Sequence, residues 1–101
     1  MKIRYARSAK NDLRNILRYG QEHWTNTAEA FVEMLRHSLE STLGNHPNAG
    51  RKGRVEGTRE FVLGGSKHIV VYVPPSEANA DLIVVRVLHG AQRWPGENGG
   101  K

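Results

Sequence analysis

Histidine and arginine supply most of the groups in this chain that could move a proton or hold an anion. There are five histidines (His23, His37, His46, His68 and His89), ten arginines and no cysteine. No two histidines stand in an H-x-x-x-H or H-E-x-x-H spacing, so neither a zinc site nor another metal or cofactor is expected. Ser38, Ser41, Ser66 and Ser76 lack the strand-turn-helix setting of a nucleophile elbow. A ribonuclease could work with His and Arg alone, one residue moving protons while others hold the phosphate. Arg59, His68, Arg86, His89 and Arg93 are the candidates on or beside predicted strands. Each also has a structural reading. Arg59 and Glu60 are neighbours and can pair across strands, and His68 can be a polar residue at a strand edge. Arg86, alone in an apolar run, can be buried against an acid. Trp94 is either a lid over the core or an anchor for a partner. Arg93 and Trp94 together point to function, because Trp and Arg are enriched where proteins bind one another.

The elements that must position these residues are legible from periodicity. Six of the seven residues from Leu82 to Leu88 are apolar, mostly β-branched, and the exception is Arg86. Such a run predicts a strand buried on both faces, central in a sheet. It surfaces at His89 and Gly90, ahead of the cluster Gln92 to Pro95. Lys2 to Ala6 alternates weakly and predicts a first strand. Ser8 is a helix N-cap candidate, followed by a stripe of Ala9, Leu13, Ile16, Leu17, Gly20 and Trp24. Asn26 with Glu29 has the spacing of a capping box. A second stripe of Phe31, Met34, Leu35, Leu39 and Leu43 then runs to Gly44, a C-cap candidate. Two amphipathic helices on so short a link predict an antiparallel hairpin. Asn48 to Gly57 carries three glycines with Arg51, Lys52 and Arg54. With no preceding strand and no GK[ST] it is read as a connection rather than a phosphate loop. Phe61 to Leu63 and His68 to Val73 predict a hairpin about Gly64-Gly65-Ser66. The order is β-α-α-β-β-β, an α+β domain with the helical hairpin on one face of a small, mostly antiparallel sheet. Residues 1–95 form one domain, and 96–101, with nothing to bury, are expected to be a disordered tail.

Fifteen basic residues against ten acids give a formal charge of +5 at 101 residues. An acidic partner, protein or nucleic acid, suits that balance, as does a merely soluble basic surface. No apolar stretch approaches the roughly 20 residues of a membrane helix. The N-terminus has no apolar signal region, and with no cysteine the expected location is the cytoplasm.

In sequence order, the chain resembles the RelE/ParE superfamily of type II toxin–antitoxin toxins, and ParE within it. The resemblance rests on Arg7-Ser8-Ala9, Asp12-Leu13, Ile16 and Tyr19, then His46-Pro47, Gly50-Arg51 and Gly57-Thr58-Arg59-Glu60. It continues through Ile69-Val70-Val71-Tyr72 and Arg86-Val87-Leu88-His89-Gly90-Ala91-Gln92-Arg93-Trp94-Pro95. It implies the same β-α-α-β-β-β order. ParE-like toxins poison DNA gyrase, have no agreed catalytic residues, and serve plasmid stabilisation. RelE-like members cut mRNA on the ribosome with basic residues on the sheet and often a C-terminal Tyr. Here Glu60 to Leu63 stands where RelE has lysines, and no Tyr follows Tyr72, so gyrase is the expected target and enzymatic activity is not. The alternatives are a ribonuclease using His89, Arg86 and Arg59, or a relic that binds antitoxin without toxicity. The resemblance further implies a ParD-like antitoxin whose C-terminal tail wraps the toxin, so that DNA is met only through antitoxin or gyrase. Arg14, Leu17, Arg18, Arg51 and Arg54 are the residues assigned to that partner. Arg93, Trp94 and His89 are assigned to the target.

Overall fold

The computed structural model describes residues 1–24, 26–63 and 67–90. Strand β1 (Ile3–Tyr5) leads into helix α1 (Arg7–His23) and helix α2 (Ala28–Asn45). Four strands follow: β2 (Arg51–Lys52), β3 (Arg59–Val62), β4 (His68–Val73) and β5 (Leu82–His89). They form one sheet in the order β1-β5-β4-β3-β2. β1 is parallel to β5, with Ile3 opposite Leu82 and Tyr5 opposite Val84, and the other neighbours are antiparallel. The predicted α+β order is therefore observed, with one short strand more. That strand lies in the stretch read as a plain connection, where Arg51 pairs with Glu60 and Lys52 with Arg59.

β5 is flanked on both sides, as its composition requires. Its ladder with β4 slips once: Val71 faces Arg86, Tyr72 faces Val84, and Val85 is the extra residue. Such a bulge resets the alternation of a strand. Leu82, Val84 and Val87 all join the core as a result. Against them α2 packs Leu35, Leu39 and Leu43, spaced one turn apart and at most 1% exposed. Val70, Tyr72 and Leu63 complete this layer, and α1 adds Ala9 with Leu13 and Ile16 half-buried. Burying each leucine is worth about 1.5–3 kcal/mol.

The helix ends differ from the sequence reading. α1 starts at Arg7 with Ala6 as its N-cap, and Ser8 instead donates its hydroxyl to the Val85 carbonyl at 2.6 Å. α2 starts after Thr27 with no side-chain cap, so Asn26 and Glu29 form no capping box. Gly44 lies inside α2, which ends at Asn45. Met34 belongs to the surface rather than the core stripe, being 52% exposed. Gly20 is the pivot of the hairpin. A Cβ there would lie 2.6 Å from the Trp24 ring and 2.8 Å from Ala28, so the close turn between helices needs glycine. The turn assigned to Gly64-Gly65-Ser66, the cluster Gln92 to Pro95 and the tail 96–101 lie outside the described residues.

Candidate functional site

β1 accompanies β5 only as far as Val84. Beyond that point the first turns of α1 take over the exposed strand edge. The Ala6 N–H donates to the Val84 carbonyl (2.9 Å), Ser8 to the Val85 carbonyl, and the Val87 N–H to Asp12 Oδ2 (2.9 Å). An open strand edge is a template for unwanted pairing, and here side chains of one helix close it. Arg86 belongs to the same construction. Its Nε and Nη2 donate to Asp12 at 2.7 and 3.0 Å, a forked pair whose side chains are only 17% and 12% exposed. Arg86 is thus the buried, acid-paired residue that its place in an apolar run suggests. Asp12 had no assigned role in the residue-level reading. The sequence held part of the signal: a lone cation in a buried strand needs an acid, but which acid depends on how α1 packs against β5.

At the opposite edge of the sheet, Glu60 is buried at 3% exposure and gathers the loop about β2. Its carboxylate accepts from Arg51 Nη2 (3.4 Å) and the Arg54 backbone N–H (3.1 Å), with Arg54 Nε at 3.6 Å. Arg51 and Arg54 nonetheless keep 67% and 50% of their side chains exposed. Arg59 does not pair with Glu60. Its Nη1 donates to the Gly50 carbonyl at 2.6 Å and reaches that of Asn48 at 3.5 Å. The buried Tyr72 hydroxyl accepts from the Gly50 N–H at 2.9 Å, and burial pushes its phenol up from the ordinary value. Arg59 stands opposite Tyr72, and His89 stands opposite His68, four residues away along β4. That is about 13 Å at the rise of a strand. The structure therefore spreads Arg59, Arg86 and His89 over the sheet rather than bringing them together.

Where β5 ends, a cleft of ≈ 490 Å³ opens between the hairpin and the sheet. A run of rings lines it. Tyr19 meets Trp24 edge-on at 6.3 Å, Trp24 meets Phe31 at 5.2 Å, Phe31 lies 5.8 Å from His68, and His68 lies 5.6 Å from His89. Burial lowers the His68 imidazole, and the facing His89 lowers it further. The cross-strand pairing that joins these histidines follows from the hairpin register and could not be read from their spacing. His89 is exposed at the mouth. Arg93 and Trp94, assigned to the target, lie outside the described residues.

A second groove, of ≈ 390 Å³, runs between α1 and α2. Leu13, Leu17 and Val32 give it half-buried apolar walls, and Lys10, Arg14 and Arg36 place exposed cations along it. Arg14 donates to Asn11 at 2.9 Å, and Arg18 is exposed one turn further along α1. At one end Tyr5 donates a short hydrogen bond to Glu40, which also takes Arg36 at 3.8 Å. Burial, then this bond to a carboxylate, pushes the Tyr5 phenol well above its usual range. No group of three or more metal-ligating side chains is found among the described residues. Nor, among them, is any helix long and apolar enough to cross a membrane.

Residues 3–94 match the family model described as ParE toxin of type II toxin-antitoxin system, parDE. The chain is 29% identical over 94 residues to the candidate toxin Y4kP of Sinorhizobium fredii, covering 93% of each. Its fold is similar to a chain in the chromosomal ParDE toxin–antitoxin system from P. aeruginosa. That match has a TM-score of 0.71 at 18% identity, over 88% of this chain and 95% of that one. It is also similar to a chain of the toxin–antitoxin complex RelBE2 from Mycobacterium tuberculosis. There the TM-score is 0.62 at 16% identity, over 87% and 95%.

Proposed function

The chain belongs to the ParE toxin family of type II toxin–antitoxin systems, and from that premise we propose that it inhibits DNA gyrase and is neutralised when a cognate antitoxin binds it directly. The observation that carries the antitoxin half is the groove between α1 and α2. Apolar walls at Leu13, Leu17 and Val32 with cations at Lys10, Arg14 and Arg36 suit an acidic, amphipathic segment that orders as it binds. Arg51 and Arg54, exposed at the far edge of the sheet, extend the basic surface such a segment would follow. Chains of similar fold belong to a ParDE toxin–antitoxin system and to the RelBE2 toxin–antitoxin complex, which supports the same reading.

The gyrase half draws on the distribution of the basic residues. A ribosome-dependent nuclease needs a proton-transfer group and phosphate-holding cations around one scissile bond. Arg86 is committed to Asp12 and Arg59 to the Asn48 and Gly50 carbonyls, with His89 at the other end of the ladder from Arg59. That favours a protein-binding poison, with Arg93, Trp94 and His89 as its target-facing residues. In this reading the toxin meets DNA only through gyrase or the antitoxin, acts in the cytoplasm, and serves to stabilise the replicon that carries it.

The test is a plasmid supercoiling assay with purified toxin, gyrase and ATP, with and without antitoxin. The expected result is lost supercoiling with linear DNA accumulating after protease treatment, reversed by antitoxin. Unaffected gyrase, with mRNA cleaved on ribosomes and cleavage abolished by His89→Ala, would establish the nuclease instead.

A further inference from the structure

The groove between α1 and α2 has two unlike walls. Along α1, Lys10, Arg14 and Arg18 recur every four residues, all exposed, and form one ridge. Along α2, Glu29, Glu33, Arg36 and Glu40 stand three or four residues apart and form another. The Arg36 guanidinium lies 3.8 Å from Glu33, 3.8 Å from Glu40 and 5.6 Å over the Tyr5 ring. Its charge is therefore offset within its own helix, and the α2 wall is acidic on balance. Among the described residues the ion pairs of α2 stay within α2, and none joins one helix to the other. Between the walls lies an apolar floor of Leu13, Leu17 and Val32, each half-buried. A cationic ridge and an acidic ridge thus face solvent on either side of one apolar strip.

From this asymmetry we infer that the groove selects a helix with segregated charges: acids on the flank that meets α1, bases on the flank that meets α2, and an apolar stripe between them. The inference rests on the reading of this groove as the antitoxin's seat. It refines the occupant from an acidic segment to one with two opposite flanks. An apolar strip between two antiparallel helices is filled by the apolar stripe of a third. Charges on either side of that stripe then act as they do beside the seam of a coiled coil, setting partner and orientation. Chain direction follows. Turning a helix end for end with its apolar face down exchanges its flanks. One direction therefore pairs opposite charges along both walls, and the other sets like against like. Lys10 to Arg18 covers about 12 Å of α1, enough for two turns of the occupant to be read. Glu29 and Glu33, exposed and on the acidic ridge, thereby become specificity residues for the partner, a role that the overall charge of +5 conceals.

The test uses the full chain and designed peptides of about three heptads, stapled as helices on the outer face, each with one stripe of leucine. One peptide carries Glu on one flank and Lys on the other, and a second has the flanks exchanged. A third carries Glu on both flanks and a fourth Lys on both. At low salt the two segregated peptides should bind several-fold more tightly than either single-sign peptide. A spin label at the peptide N-terminus should broaden resonances at the Tyr5 end of the groove for one segregated peptide and at the opposite end for the other. In the double variant Glu29→Lys with Glu33→Lys, whose fold is checked by circular dichroism, the Glu peptide should become the tightest binder. A single-sign peptide that matches the segregated pair on the unaltered chain would overturn the inference. So would two labels that broaden the same end, or no binding by any of the four. The seat itself is read separately, from shifts of the Leu13, Leu17 and Val32 resonances when antitoxin is added. Shifts there with the Glu peptide preferred would sink the segregation and leave the seat. Antitoxin that binds without moving those resonances would sink the seat, and the segregation with it.

Discussion

Asp12 and Glu60 each hold arginine at an edge of the sheet, and they leave the arginines in different states. Asp12 takes both nitrogens of one arginine fork at 2.7 and 3.0 Å, and the Arg86 side chain retains 17% of its exposure. Glu60 is still more buried, yet its two guanidinium groups sit at 3.4 and 3.6 Å on side chains that remain 67% and 50% exposed. At the α1 edge the charge is spent on closing β5. At the β2 edge it orders a loop while leaving cationic surface for something else. The difference shows why a count of basic residues says little about a binding face: what matters is how much of each guanidinium is left in water after the fold has used it.

Removing the two acids in turn is the most direct way to break this comparison. Asp12→Ala strands Arg86 beneath α1 and deprives the Val87 N–H of its acceptor. The expected loss is about 3–5 kcal/mol, the usual result of leaving a buried partner uncompensated. Glu60→Ala frees two arginines that are already hydrated and orphans one backbone N–H, for about 1–3 kcal/mol. Urea unfolding of both variants checks the order. Equal losses would mean that the exposure of the partner cation does not govern the cost, and the distinction between the edges would fall.

How much of this was legible in the sequence follows from range. The five ranges of local periodicity, namely β1, both helices, β4 and β5, were read close to their observed limits because each is set by its own alternation of apolar and polar residues. β3 began two residues earlier than the apolar run, at Arg59, because ladder pairing with Tyr72 rather than hydrophobicity defines its start. β2 was missed for the same reason: two exposed residues, Arg51 and Lys52, become a strand only through their partners Glu60 and Arg59. The caps at Ser8 and Asn26 failed because a cap motif records only local competence: α1 begins at Arg7, with Ser8 inside its first turn and donating to the Val85 carbonyl on β5, 77 residues away, and α2 begins after Thr27. Of the candidate site, Arg86 stood both as a nuclease candidate and as a residue that can be buried against an acid; its apolar surroundings suggest the second, but they do not name the acid. The facing of His68 and His89 depended on a register that no spacing within either strand encodes.

The exposed cations can be weighed by association kinetics. Reversing charge at Arg14, on the groove, is expected to slow antitoxin association several-fold at low salt. The same change at Arg54 should have a smaller effect, since Glu60 offsets part of its field. Both differences should shrink as salt rises, because screening acts on exposed charges over about 10 Å at 0.1 M. Stopped-flow or surface-based rates over a salt series would sharpen the contrast. Rates that ignore salt and both substitutions would show that the basic surface does not steer this partner.

The smallest effect comes from a polar group held at the cleft by burial rather than by an opposite charge. His68 is lowered from the ordinary histidine value of 6.5, first by desolvation and then by His89 across the ladder. The folded state therefore disfavours the imidazolium. Above pH 6.5 neither state binds the proton and the contribution is complete. As pH falls through 6.5 the unfolded chain takes up a proton that the folded chain resists, so stability declines until His68 is also protonated in the fold. The decline should be modest, because the side chain is only partly buried. His68→Gln removes the difference in proton uptake and should flatten that part of the curve in denaturant titrations between pH 7.5 and 5, while the Asp12 and Glu60 variants keep it. A slope unchanged by His68→Gln would place the titrating group elsewhere. It would also mean that the cleft tolerates charge at His68 as readily as water does, unlike the α1 edge, where burial demands a partner for Arg86.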